Sequence, residues 1–121
     1  MKVTGIDAVY YVVRNIDVEQ RFYTELLGAQ PDVSWPGRLA EWTFEDGNSF
    51  GLYKVGGDDG EMAGTSGSAM FAVPDVHAAV KAALDRGVKI HEGGEVTDTP
   101  TCHMAFGEDP EGHQFILHKR K

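Results

Sequence analysis

The sequence predicts an α+β fold of two tandem βαβββ modules forming an open, curved mixed sheet with a concave pocket. Two internal echoes carry this prediction. FEDGNSFGLYK, ending at Lys54, and DPEGHQFILHK, ending at Lys119, align with an offset of 65, which lays Gly47 on Gly112, Phe50 on Phe115 and Leu52 on Leu117. Upstream, AVYYVVRNID from Ala8 matches SAMFAVPDVH from Ser68 with an offset of 60, and each copy runs into a helix-like stretch stopped by glycine, Gly28 or Gly87. A duplicated unit of this kind creates paired inward positions, and those positions decide what a pocket can hold.

The elements follow in order. Residues 6–13 hold Ile6, Val9, Tyr10, Tyr11, Val12 and Val13, a β-branched and aromatic run typical of a strand. Asn15 and Asp17 offer helix caps; with Asp17 as cap, Gln20 completes a capping box, and Phe22, Leu26 and Leu27 form the apolar stripe before Gly28. Strands are expected at 29–34, 38–45 and 48–55, with Trp35 in a loop and the last two strands joined through Asp46 and Gly47. Residues 55–67, five of thirteen of them glycine, read as a linker, so module 1 spans 1–55, the Gly-rich linker 56–67 and module 2 68–121 of a single domain. The second module repeats the pattern: a strand at 68–73, a helix capped by Asp75 and running to Arg86, and strands near 88–91, 101–107 and 113–119, with EGGEVTDTP as a polar loop.

At 121 residues, 41% hydrophobic and 25% charged, the chain suits one globular domain with a sizeable core. A lone cysteine, Cys102, leaves no intramolecular disulfide, and no secretory signal is visible, which fits a cytoplasmic protein. No apolar stretch approaches the ~18 residues of a membrane span. A net charge of −8 argues against nucleic acid, since phosphate contacts need a basic face. It permits a cationic partner, though solubility alone also explains it.

Strand alternation assigns faces. Phe50, Leu52, Phe115 and Leu117 should pack beneath helices carrying Phe22, Leu26, Val80 and Leu84. The opposite face would show Tyr10, Gly51 and Tyr53 in one module and Ser68, Met70, Ile116 and His118 in the other. Tyrosines, a methionine and a histidine suit a cavity for an organic molecule; a filled interior or a dimer contact has the same composition.

The run IDAVYYVVRNIDVEQRFYTELLG, the duplicated order and the closing DPEGHQFILHK together resemble the vicinal oxygen chelate superfamily, which includes glyoxalase I, extradiol dioxygenases and bleomycin-binding proteins. The resemblance covers nearly the whole chain. Metal-dependent members carry histidines on the opening strands and glutamates on the closing strands, at positions that here are Ala8, Ser68, Gly51 and Ile116. Ala, Gly and Ile have no donor side chain, and imidazole or carboxylate ligands must converge at about 2.0–2.2 Å. The expectation is therefore no metal and no cofactor. His77, His91 and His113 are expected at the surface.

The candidate ligand-binding residues are Tyr10, Trp42, Tyr53, Ser68, Met70, His103, Ile116 and His118. His118, paired by symmetry with Tyr53, is either a ligand or proton-transfer group or an ordinary edge histidine. Cys102 and His103 are adjacent and face opposite ways, so they cannot act as a nucleophile and base pair; Cys102 is expected to be buried, and the face of His103 stays open. Trp35 and Trp42 offer stacking surfaces, and Glu41 and Glu45 share one face. Two functions suit such a chain: metal-independent binding of a small organic molecule, aromatic or cationic, or a metal-independent isomerase, epimerase or lyase working on a carbonyl compound with a histidine base. A homodimer is the expected assembly.

Overall fold

The computed structural model describes residues 1–2, 4–54 and 67–121, so all but the last residue of the expected Gly-rich linker lies outside the described residues. The chain divides into two compact units, Met1–Thr65 and Ser66–Lys121. Each carries a helix on its own mixed sheet.

The first unit runs β1 (Ala8–Val12), α1 (Ile16–Leu27), β2 (Val33–Trp35), β3 (Leu39–Thr43) and β4 (Ser49–Tyr53). Its strands lie in the order β1-β4-β3-β2, with β1 parallel to β4 and the other pairs antiparallel. Of the two expected caps, Asn15 is the one used: its side chain accepts a hydrogen bond from the Val18 N–H at 3.1 Å. Asp17 instead joins Glu19 in the first turn, where negative charge complements the exposed N–H groups. Gly28 ends the helix at a φ of 72°.

Tyr23, rather than Phe22, is the residue that α1 drives into the sheet. It is fully buried, its ring 4.8 Å from that of Phe50, while Phe22 meets it edge-on from the side. Ile16, two helical turns before Tyr23, is the other apolar residue buried from α1; Leu26 and Leu27 are half-buried. Ala40, Trp42, Phe50 and Leu52 complete this core. Trp35 lies in β2 and not in a loop, because Pro36 and Gly37 form a tight turn that brings Trp35 opposite Leu39, with the Arg38 N–H donating to the Trp35 carbonyl at 2.9 Å. The expected strand at 29–34 thus starts later and is shorter.

The second unit runs β5 (Ser68–Ala72), α2 (Val76–Asp85), β6 (Lys89–Ile90), a short 3₁₀ turn (His91–Gly94), β7 (Thr97–Asp98), β8 (Cys102–Glu108) and β9 (Gln114–Arg120). The sheet order is β5-β9-β8-β6, with β7 also paired to β8. Asp75 caps α2 as expected, accepting from the Ala78 N–H at 3.0 Å. Val80 packs into the core with Phe71, Phe115 and Leu117, whereas Leu84 is 43% exposed instead of buried. Part of the expected EGGEVTDTP loop pairs with β8 as β7.

The duplication extends to strand register. Ala8 faces Ser49 and Tyr10 faces Gly51 in one parallel ladder; Ser68 faces Gln114 and Met70 faces Ile116 in the other. Shifting β1 by 60 and β4 by 65 lays the first ladder on the second. Between β8 and β9, Asp109 closes the turn by accepting from the backbone N–H groups of Glu111 and His113 at 3.0 and 2.9 Å. His113, expected at the surface, is 1% exposed. Its burial is tolerable because Nδ1 lies 2.9 Å from an Asp109 carboxylate oxygen.

Candidate functional site

In the first unit, the sheet face opposite α1 is built around Tyr10. Its ring lies across the strand onto Gly51: a Cβ added to that glycine would stand 2.4 Å from Tyr10 Cζ, well inside contact distance. The phenol O–H reaches β3 and donates to Glu41 Oε1 at 2.8 Å. Burial, the hydrogen bond to Glu41 and the negative charge there together push the Tyr10 pKa up to about 12. The hydroxyl is thus a neutral donor already committed to a carboxylate. Tyr53 meets the Tyr10 ring edge to face, with centroids 5.7 Å apart.

In the second unit, the centre of the face opposite α2 is largely apolar. Met70 and Phe106 flank Ile116, while Ala72 and Met104 flank His118. Gln114 donates to the Ser68 hydroxyl at 3.0 Å at one end of this ladder. Ile116 is 8% exposed and Met70 54% exposed, so the face combines a buried floor with an accessible apolar side chain. Among the described residues, no side chain is hydrogen-bonded or ion-paired to the His118 imidazole. A catalytic base is normally oriented by such a partner.

Two predicted site residues lie elsewhere. Trp42 pairs with Phe50 across β3 and β4 and therefore shares the α1 face; it is 1% exposed, and its indole N–H donates to the Ala29 carbonyl at 2.8 Å. It is a core residue. His103 pairs with Lys119 and stands on the α2 face, 6.3 Å from the His77 ring and 3.5 Å from Asp98. It lies on the opposite side of the sheet from His118. Cys102 is buried as expected, beside the Thr99 hydroxyl at 3.2 Å.

Tyr10 and Tyr53 share a face in one unit, and Ser68, Met70, Ile116 and His118 share a face in the other. Glu41, Met104 and Phe106 belong to these faces and were not among the predicted site residues. The offset of 65 also relates β3 to β8, placing Leu39 on Met104 and Glu41 on Phe106, but their face is set by pairing with β4 and β9, which counting does not give.

The metal-ligand positions implied by the sequence resemblance do not fit a centre built from histidine and glutamate. Ala8 and Ile116 have no donor atom, the Ser68 hydroxyl accepts from Gln114, and the space above Gly51 is taken by the Tyr10 ring.

The sequence model of the Glyoxalase/Bleomycin resistance protein/Dioxygenase superfamily matches residues 5–117. No curated protein matches the chain significantly in sequence. Among solved structures, a lactoylglutathione lyase from Agrobacterium tumefaciens aligns with a TM-score of 0.77 at 14% identity, over 97% of this chain and 94% of its own. A glyoxalase/bleomycin resistance protein from Catenulispora acidiphila gives 0.68 at 18% identity, over 97% of each chain. An antibiotic binding protein from a Streptomyces species gives 0.74 at 20% identity, over 100% of this chain and 99% of its own. At these identities the likeness is one of fold. Among the described residues, no helix is long and apolar enough to cross a membrane.

Proposed function

This chain belongs to the glyoxalase/bleomycin resistance protein/dioxygenase superfamily, and from that premise we propose that it binds a small organic molecule on the sheet faces opposite its helices, without a metal ion at the superfamily's ligand positions. The observation that carries the proposal is the Tyr10 ring lying over Gly51, where a metal-dependent member would present a carboxylate. Aromatic rings, a thioether and a few fixed polar groups are what a binding surface for an organic ligand needs. The antibiotic binding protein of the same fold supports this use of the scaffold.

The alternative, proton transfer to or from a carbonyl compound, asks for an oriented base and a free hydrogen-bond donor. The Tyr10 hydroxyl is spent on Glu41, and His118 has no orienting side chain among the described residues. Both features favour binding over catalysis.

Native mass spectrometry and elemental analysis of the purified protein, with and without chelator, test the proposal. A retained organic molecule with no stoichiometric metal supports it. Stoichiometric zinc, iron, manganese or nickel that strengthens ligand binding overturns its metal-independent part.

A further inference from the structure

On the face of the first sheet opposite α1, one strand residue is charged and the groups around it are aromatic or neutral. Glu41 sits between Val33 on β2 and Gly51 on β4. Tyr10 and Tyr53 are on the same face, as is Trp35, which pairs with Leu39 and is 62% exposed. Every other strand position of this face is uncharged. Among the described residues, no lysine, arginine or histidine pairs with Glu41.

Glu41 is half-buried, and among the described residues the one side-chain hydrogen bond it receives comes from the neutral Tyr10 phenol, which leaves its negative charge unbalanced. The missing complement is a positive charge. Tyrosine and tryptophan rings attract the same charge through their negative faces. Glu41 is the one carboxylate borne by the strands of this face, the Asp32 carboxylate at its edge being held by the Thr43 N–H at 2.7 Å, so the matching ligand carries a single positive centre. We infer that the face formed by Glu41, Tyr10, Tyr53 and Trp35 recognises a monovalent organic cation, an alkylammonium or guanidinium group attached to an apolar body. The inference rests on the small-molecule-binding reading above and specifies its ligand class.

The test compares benzylammonium with benzyl alcohol, which has similar size and a hydrogen-bond donor but no charge, by two-dimensional NMR titration of the whole chain at neutral pH. The amides of Glu41, Gly51 and Tyr53 are expected to shift with benzylammonium, with about tenfold tighter binding than benzyl alcohol, as a charged hydrogen bond and ring contacts allow. Glu41→Gln keeps an acceptor for Tyr10 and is expected to bring the two affinities together. Tyr53→Leu leaves Glu41 in place and is expected to weaken benzylammonium alone. Equal affinity for the two probes, or a preference that survives Glu41→Gln, overturns the inference and leaves the binding reading standing. If benzyl alcohol shifts these amides while benzylammonium does not, the cation assignment fails by itself. If no organic probe shifts either sheet, both fail.

Discussion

The Tyr10 ring and the Gly51 α-carbon are in direct contact across the parallel ladder of β1 and β4, leaving no room for a β-carbon on Gly51. This contact links two features of the sequence that look independent, the glycine at an implied ligand position and the tyrosine opposite it. Gly51→Ala should therefore destabilise the protein by about 1–3 kcal/mol, the usual range for overpacking. In a Tyr10→Ala background the same substitution should cost much less. Urea unfolding of the four variants gives the coupling; equal costs in both backgrounds would show that Tyr10 is not what excludes the side chain.

The hydrogen bond from Tyr10 to Glu41 makes a prediction at alkaline pH. The folded-state pKa is raised from 10.0 to about 12, mainly by burial and then by Glu41. The folded state therefore holds this proton more tightly than the unfolded chain. The resulting stability is fully present below about pH 10 and is lost as the pH rises toward 12. The tyrosinate absorbance of wild type minus that of Tyr10→Phe should show a step near the upper end of this window. A step at the ordinary tyrosine value would mean that the pair does not form in solution.

The turn between β8 and β9 depends on one buried carboxylate. Asp109 is 5% exposed and receives two backbone N–H groups, with His113 Nδ1 close by. Asp109→Ala leaves these groups buried without their acceptor and should cost about 2–4 kcal/mol. Asp109→Asn retains an acceptor and should cost less. Chemical denaturation ranks the two, and a cost below about 0.5 kcal/mol for the alanine variant, the level of an ordinary surface change, would remove this turn from the stabilising elements.

Much of this architecture was legible because duplication and alternation are both written along a single strand. Phe50 and Phe115, or Tyr10 and Met70, can be paired by counting, and the two parallel ladders share the register that the count requires. What the count did not supply was register between strands that are not copies of one another. Alternation alone leaves Trp42 in the binding set, yet its face is set by pairing with Phe50. His103 could not be assigned a face without knowing that it pairs with Lys119. The Tyr10 contact with Gly51 depends on a side-chain rotamer and a hydrogen bond reaching β3, neither of which has a signature in one sequence. The burial of His113 has no mark in the sequence, because it depends on a carboxylate four residues earlier whose role as a turn closure shows only in three dimensions.

His118 separates binding from catalysis most directly. Its imidazole shares a face with Met70, Met104 and Ile116, and its neighbours across the sheet are Ala72 and Met104. On the binding reading, the imidazole would orient a ligand by one hydrogen bond, and losing such a bond typically costs about 0.5–1.5 kcal/mol. His118→Phe should therefore lower ligand affinity by roughly 3- to 10-fold while stability changes little, because the side chain is only half-buried and its ring is replaced by one of similar bulk. Titration calorimetry with a ligand identified by native mass spectrometry, run beside thermal unfolding, reads both quantities. If the protein instead turns that ligand over, and His118→Phe abolishes product formation while affinity holds, the imidazole is a base and the binding reading gives way to proton transfer. The same substitution thus discriminates the two functions, because binding energy and chemical rate depend on different properties of one ring.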